Sequence, residues 1–235
     1  MALPKMNHTP MYELTIPSSG KKVKYRPYLV REEKVLMIAL ETNDHKASLN
    51  AIVDTIAACV AGEFNTKTLT TFDVEYMFIQ IRSKSSGETS KIHVECSNCN
   101  HKHDIVVDFN TIKVEVPKGK NIHNLTADVS MELGYPKYED IVEFEGMVDS
   151  NKASNVFAIA TKCIKSISDG DERTMAEDCT DEELVEFLES LTKDQFAHIS
   201  DFMESMPKLS HKVDFKCESC ETENKQVITG MQSFL

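Results

Sequence analysis

The chain has 235 residues, 41% of them apolar, and a formal charge of −12 from 38 acidic against 26 basic side chains. That length fits one large domain or two small ones, and the apolar content suffices for a core, so global disorder is not expected. No apolar run approaches the roughly 20 residues of a membrane span, and an acidic chain repels nucleic acid unless its bases gather on one face.

Lys21, Lys22, Lys24, Arg26, Arg31 and Lys34 do gather near the start. They read most simply as a solvated strand and helix face. The opening MALPKMNHTPMYEL has no basic segment followed by an apolar one. The expectation is therefore a protein that stays or assembles in the cytosol.

Residues 10–29 read as strand, turn and strand. The run from Met11 to Ile16 meets the turn formers Pro17-Ser18-Ser19-Gly20, and Lys22 to Arg26 alternates with period two. Residues 30–42 switch to helical spacing. Val35, Leu36, Ile38, Ala39 and Leu40 fall on a broad apolar face, with Glu32, Glu33 and Lys34 opposite. A second helix is read at 46–62 and a third at 71–84. Asp73 and Glu75 in the first turn of the third favour the positive end of its dipole.

Residues 89–116 are strand-rich and end in the alternating run Thr111 to Val116; Pro117–Lys120 reads as a turn. Residues 121–133 read as one or two further strands, 138–148 as a short helix and 152–166 as a longer one. Thr180 with Glu183, and Thr192 with Gln195, are capping boxes that open two more helices. Residues 210–230 form a last hairpin, and GMQSFL is an apolar ending. The expected class is α+β, helical segments with antiparallel hairpins and no βαβ rhythm. Expected parts are a strand pair with helices at 1–88, hairpins at 89–116 and 210–235, and a mainly helical insertion at 117–209.

Seven cysteines, an odd number, without a recognised leader argue against a disulfide framework. Cys59 and Cys163 sit in apolar helical patterns and are expected to pack as small core residues. Cys179 receives no role. The other four form two C-x-x-C pairs, Cys96/Cys99 in HVECSNCNHKHDIVVDF and Cys217/Cys220 in VDFKCESCETENKQVITG. Each pair lies between two alternating segments, as a knuckle at a hairpin tip. One pair supplies half of a tetrahedral site and two supply a whole one. The reading adopted is a discontinuous zinc ribbon, with Cys96, Cys99, Cys217 and Cys220 around one structural zinc per chain.

Three other readings compete with it. A redox C-x-x-C should follow a strand and open a helix, but strands flank both pairs. A metal-free ribbon stays open, and so does a mixed site, because His93, His101, His103 and His211 lie nearby; surface solvation is the simpler account of each histidine, with His101 and His103 in a loop. A closed four-thiolate set leaves no coordination position for substrate. The chain shows no GxGxxG, Walker, HExxH or GxSxG signature. No catalytic residues and no small-molecule substrate are expected.

The stretch from Pro17 to Glu41, PSSGKKVKYRPYLVREEKVLMIALE, resembles the N-terminal region of the T-even-type bacteriophage baseplate protein family. That family shares a strand–turn–strand running into a YRP–EEK helix. The cysteine hairpins and the ending ITGMQSFL are similar to it as well. The resemblance implies a hub component or hub assembly factor of a contractile tail, made in the host cytoplasm and located in the virion baseplate or in the cytoplasm during assembly. It implies binding to other hub or tail proteins and no enzymatic activity. The competing reading is a zinc-ribbon nucleic-acid or transcription accessory module. That reading needs a basic face, but Lys102 and Lys216 sit among Glu95, Asp104, Glu218, Glu221 and Glu223.

Overall fold

A computed structural model describes residues 9–42, 44–117, 121–147 and 153–231. In chain order the elements are β1 (Tyr12–Thr15), β2 (Lys22–Tyr25), α1 (Val30–Glu41), α2 (His45–Cys59), α3 (Thr71–Ser86), β3 (Thr89–Glu95), β4 (Lys102–Asp108), β5 (Asn121–Asn124), β6 (Val129–Leu133), α4 (Tyr138–Met147), α5 (Ala153–Cys163), β7 (Ile164–Asp169), β8 (Glu172–Met175), α6 (Asp181–Ser190), α7 (Lys193–Glu204), β9 (Ser210–Lys216) and β10 (Glu223–Thr229). The class is mixed α and β, and every strand pair is antiparallel. The described parts of Met1–Thr66, Phe72–Glu115 and Lys208–Leu235 form one compact unit; Lys67–Thr71 and Val116–Pro207 form the other.

In the first unit, β1 and β2 form a hairpin whose turn ends at Gly20, at φ +67°. Ser18 pins that turn to α3. Its N–H and hydroxyl donate to the Asp73 carboxylate at 2.9 and 2.6 Å. Asp73 is fully buried, so it holds the turn as well as facing the helix dipole. Glu75 likewise does more than stabilise the helix end, because it accepts the Met231 N–H at 3.3 Å. Met231 is buried. The rest of the apolar ending, and residues 118–120 of the turn expected at Pro117–Lys120, lie outside the described residues.

α1 turns a different face inward from the expected one. Glu32 is buried beside Leu36 and Ala39, while Val35, Ile38 and Leu40 stay 50–52% exposed. The cause is Arg26, which leaves β2 and reaches α1. Its guanidinium donates to Glu32 Oε1 and to the Ala58 carbonyl, both at 2.9 Å. Glu32 Oε2 accepts the Leu29 N–H at 2.7 Å. That bond is one half of a capping box; leucine offers no acceptor to complete the other half. One ion pair thus starts the helix and fixes its rotation, against the apolar stripe.

The run Thr111–Val116 is not a strand. Asp108 caps a 3₁₀ turn at Phe109–Thr111, accepting the Asn110 N–H at 2.9 Å. Beyond it a single bridge joins Lys113 to Ser210. The turn consumes the residues that would have set a register.

The second unit is built on a four-stranded sheet in the order β5-β6-β7-β8. Residues 164–166, expected at the end of a helix, begin β7, because the helical period stops at Cys163 and Ile164-Lys165-Ser166 alternates in burial. Arg173 on β8 donates to Ser166 Oγ at 3.0 Å and pairs with Glu132 on β6 at 2.6 Å, spanning three strands. Met131, Leu133, Ala160, Cys163, Leu184, Leu188, Ile199 and Phe202 make its core. Both expected capping boxes form, at Thr180/Glu183 and Thr192/Gln195. Cys59 and Cys163 are buried as expected. Burial pushes their thiols up to about 11 and about 12, which leaves them unreactive.

Candidate metal centre

β3 and β4 pair over seven positions, Thr89↔Asp108 to Glu95↔Lys102, and β9 and β10 over seven, Ser210↔Thr229 to Lys216↔Glu223. Each hairpin ends in a C-x-x-C turn of the same construction. The first cysteine N–H donates to the carbonyl five residues on, Cys96 to His101 and Cys217 to Thr222, both at 2.9 Å. The residue after the second cysteine donates back to the first, Asn100 to Cys96 and Glu221 to Cys217, again at 2.9 Å. That residue is left-handed in both turns, at φ 55° for Asn100 and 58° for Glu221. Two sequences with different intervening residues therefore close the same loop.

The turns bring all four sulfurs within 4.8 Å of one another. Cys96 Sγ lies 3.6 Å from Cys220 Sγ, and Cys99 Sγ lies 3.6 Å from Cys217 Sγ. A tetrahedron of thiolates about 2.3 Å from a central ion has sulfur–sulfur edges of about 3.8 Å. The cluster is near that size. It could hold a metal ion.

Its electrostatics point the same way. Backbone N–H groups of Asn98 and Cys99 favour the Cys96 thiolate and hold its pKa below the usual thiol value. The Thr222 hydroxyl, followed by the Thr222 backbone N–H, brings Cys220 down to about 5. The His101 N–H also favours the Cys99 thiolate, but the neighbouring sulfurs, Cys220 foremost, outweigh it and push Cys99 up to about 12. Four thiolates so close repel one another, and a central cation removes that conflict.

Two further side chains reach the cluster: His103, one of the histidines that kept a mixed site open, and Asn224, which the sequence did not single out. His103 is not in a loop; it is the second residue of β4, buried, with Nε2 3.3 Å from Cys217 Sγ and its ring 4.9 Å from Phe215. Asn224 on β10 is 3% exposed. Its Oδ1 accepts from Ser97 N and Oγ, both at 2.9 Å, and its Nδ2 donates toward Cys96 Sγ at 3.5 Å and to the Thr222 carbonyl at 2.9 Å. Gln226 Nε2 donates to the Glu95 carbonyl at 2.6 Å, and Asn98 Nδ2 to Thr222 Oγ1 at 3.3 Å. The inward alternation of β4 and β10 was the available signal, but polar residues at inward positions are masked in an apolar–polar pattern. His93 stays exposed and pairs with Asp104 at 2.6 Å.

Fold and site together define a mixed α and β protein in which two hairpins remote in sequence meet at a four-cysteine cluster. Residues 9–235 match the family model described as T4 bacteriophage base plate protein. The chain belongs to that family, which makes it a baseplate protein of T4-type phage tails, associated with the virion tail. No curated protein and no solved structure gives a match. The family was legible in the Pro17–Glu41 motif, whose Arg26 and Glu32 are the buried pair that sets α1. No helix of the described residues is long and apolar enough to cross a membrane.

Proposed function

We propose that this chain is a structural or assembly component of the baseplate hub, works by protein–protein contact, and has no catalytic role. It would be made in the host cytoplasm and joined there to other hub or tail proteins. Residues 89–116 and 210–235 act as one discontinuous zinc ribbon, with Cys96, Cys99, Cys217 and Cys220 as ligands to a single structural zinc. Four thiolates suit zinc better than harder cations, and a closed ligand set suits a staple. The nucleic-acid reading has less support, since Lys102 and Lys216 face Glu95 and Glu221 at 3.8 and 3.4 Å.

The observation that carries the contact role is α1. Val30 is 79% exposed, Met37 57% and Ile38 52%, although Leu36 and Ala39 on the same helix are buried. From Val35 to Leu40 the helix is apolar on every side, and such a stretch belongs in an interior, here that of an assembly. The occupant we assign is another protein of the baseplate. Because these side chains are exposed, the double variant Met37→Lys, Ile38→Asp should fold as the wild type does. It should fail to co-purify with baseplate proteins from infected cells. Full incorporation of the variant would refute the assignment of this face, and a wild-type dimer that the variant abolishes would assign it to a second copy instead.

A further inference from the structure

The two knuckles are related by more than their turns. His103 stands four residues after Cys99, and Asn224 stands four residues after Cys220. Each reaches across to the first cysteine of the other hairpin. His103 Nε2 is 3.3 Å from Cys217 Sγ, and Asn224 Nδ2 is 3.5 Å from Cys96 Sγ. The sulfurs they meet are the inaccessible ones. Cys96 and Cys217 are each 1% exposed, whereas Cys99 is exposed and Cys220 half-buried.

The hydrogen-bonding capacity of each group fixes the direction of these contacts. Asn224 Oδ1 is taken up by two donors from Ser97, so its amide nitrogen faces the sulfur. A metal-bound thiolate only accepts, so the nitrogen of His103 that faces Cys217 carries the proton. Four thiolates around a dication keep a net charge of about −2. Water can reach the outer two sulfurs and cannot reach the inner two. An unrelieved charge on the inner pair would be costly without a donor.

We propose that His103 and Asn224 are a matched pair of positioning residues for a metal ion in the cysteine cluster, each donating an N–H to the buried sulfur of the opposite hairpin. The proposal rests on the metal-site reading above. It assigns to the pair two effects, a tighter hold on the ion and a fixed pose of one hairpin against the other. Outer partners of this kind commonly change metal affinity by about 10–100-fold.

The test uses the full chain loaded with cobalt(II) and, separately, zinc(II), competed against a chromophoric chelator. His103→Leu removes the donor. His103→Gln restores it, since the glutamine amide nitrogen lies the same number of bonds from the backbone as Nε2. Asn224→Asp keeps the acceptor for Ser97 and removes the donor to Cys96. His103→Leu and Asn224→Asp should each weaken metal binding about 10–100-fold and move the sulfur-to-cobalt charge-transfer band to longer wavelength, while His103→Gln stays near wild type in both. Equal affinity and spectrum in all variants would overturn the pairing. So would equal losses in His103→Leu and His103→Gln, which would reduce His103 to ring packing on Phe215. If His103→Leu does not fold, Asn224→Asp decides alone. A wild-type chain that binds neither ion would overturn the metal reading, and the pair's role with it.

Discussion

Replacing Glu32 with Gln removes one charge and almost no volume. The carboxylate accepts from Arg26 Nη2 at 2.9 Å, Arg31 Nε at 2.6 Å and the Leu29 N–H at 2.7 Å. Burial alone would raise its pKa, but the bonds from Arg26, Arg31 and Leu29 more than offset burial and hold it at about 2 instead of 4.5. A difference of that size corresponds to roughly 3 kcal/mol as an upper figure. The Arg31 side chain is 72% exposed, so its share is small. Arg26 is 15% exposed against 8% for Glu32, and this pair carries most of the effect. A depressed carboxyl stabilises the fold above its unfolded pKa and loses that contribution as pH falls through the folded value. Glu32→Gln should therefore cost about 2–3 kcal/mol at pH 7. The gap to wild type should close progressively between about pH 4.5 and pH 2. Urea unfolding of both chains followed by circular dichroism, across that range, reads it directly. A gap of the same size at pH 2.5 as at pH 7 would refute the reasoning, since the loss would then be steric.

Glu75 behaves in the opposite sense. Burial raises its pKa against the backbone N–H groups of Met231 and Leu209 that favour the carboxylate, so its contribution is lost as pH rises through the folded value. Glu75→Gln should be at least as stable as wild type at pH 8 and lose that advantage below about pH 4.5, measured by the same titrated unfolding. Glu221 holds φ 58° with a side chain that disfavours it, and its partner Lys216 is exposed. Glu221→Gly should raise stability by about 0.5–1 kcal/mol; a destabilised variant in thermal melts would mean that the turn is not strained there. Cys217→Ser should drop bound zinc from about one per chain to none and lower the unfolding midpoint, by elemental analysis and denaturation. Unchanged stability would remove the staple.

The cysteine hairpins were legible because spacing and alternation are local. The six-residue turns are fixed by their own backbone bonds, whatever lies between them in sequence. The capping boxes at Thr180 and Thr192 were legible for the same reason. What was not legible depends on partners far along the chain. The rotation of α1 is decided by Arg26, just beyond β2, which draws Glu32 inward and leaves Ile38 outside. The start of β7 follows the last turn of α5 without a break residue, so periodicity alone carries the helix too far. His103 and Asn224 are polar residues at inward positions, and their sulfur partners lie more than a hundred residues away.

The four-cysteine cluster also sets an order of events during synthesis. Cys96 and Cys99 emerge from the ribosome well before Cys217 and Cys220. At roughly 5–20 residues per second, the interval is on the order of ten seconds. Through that interval the first hairpin has only two of the four cysteines, and Cys96 waits without the Asn224 amide that later covers it. The first unit therefore cannot finish until the chain has been made past residue 220. Folding of the intervening residues 116–207 has time to precede it. The cluster then acts as a completion mark: only a chain translated past residue 220 can close it, so truncated chains never acquire the finished first unit.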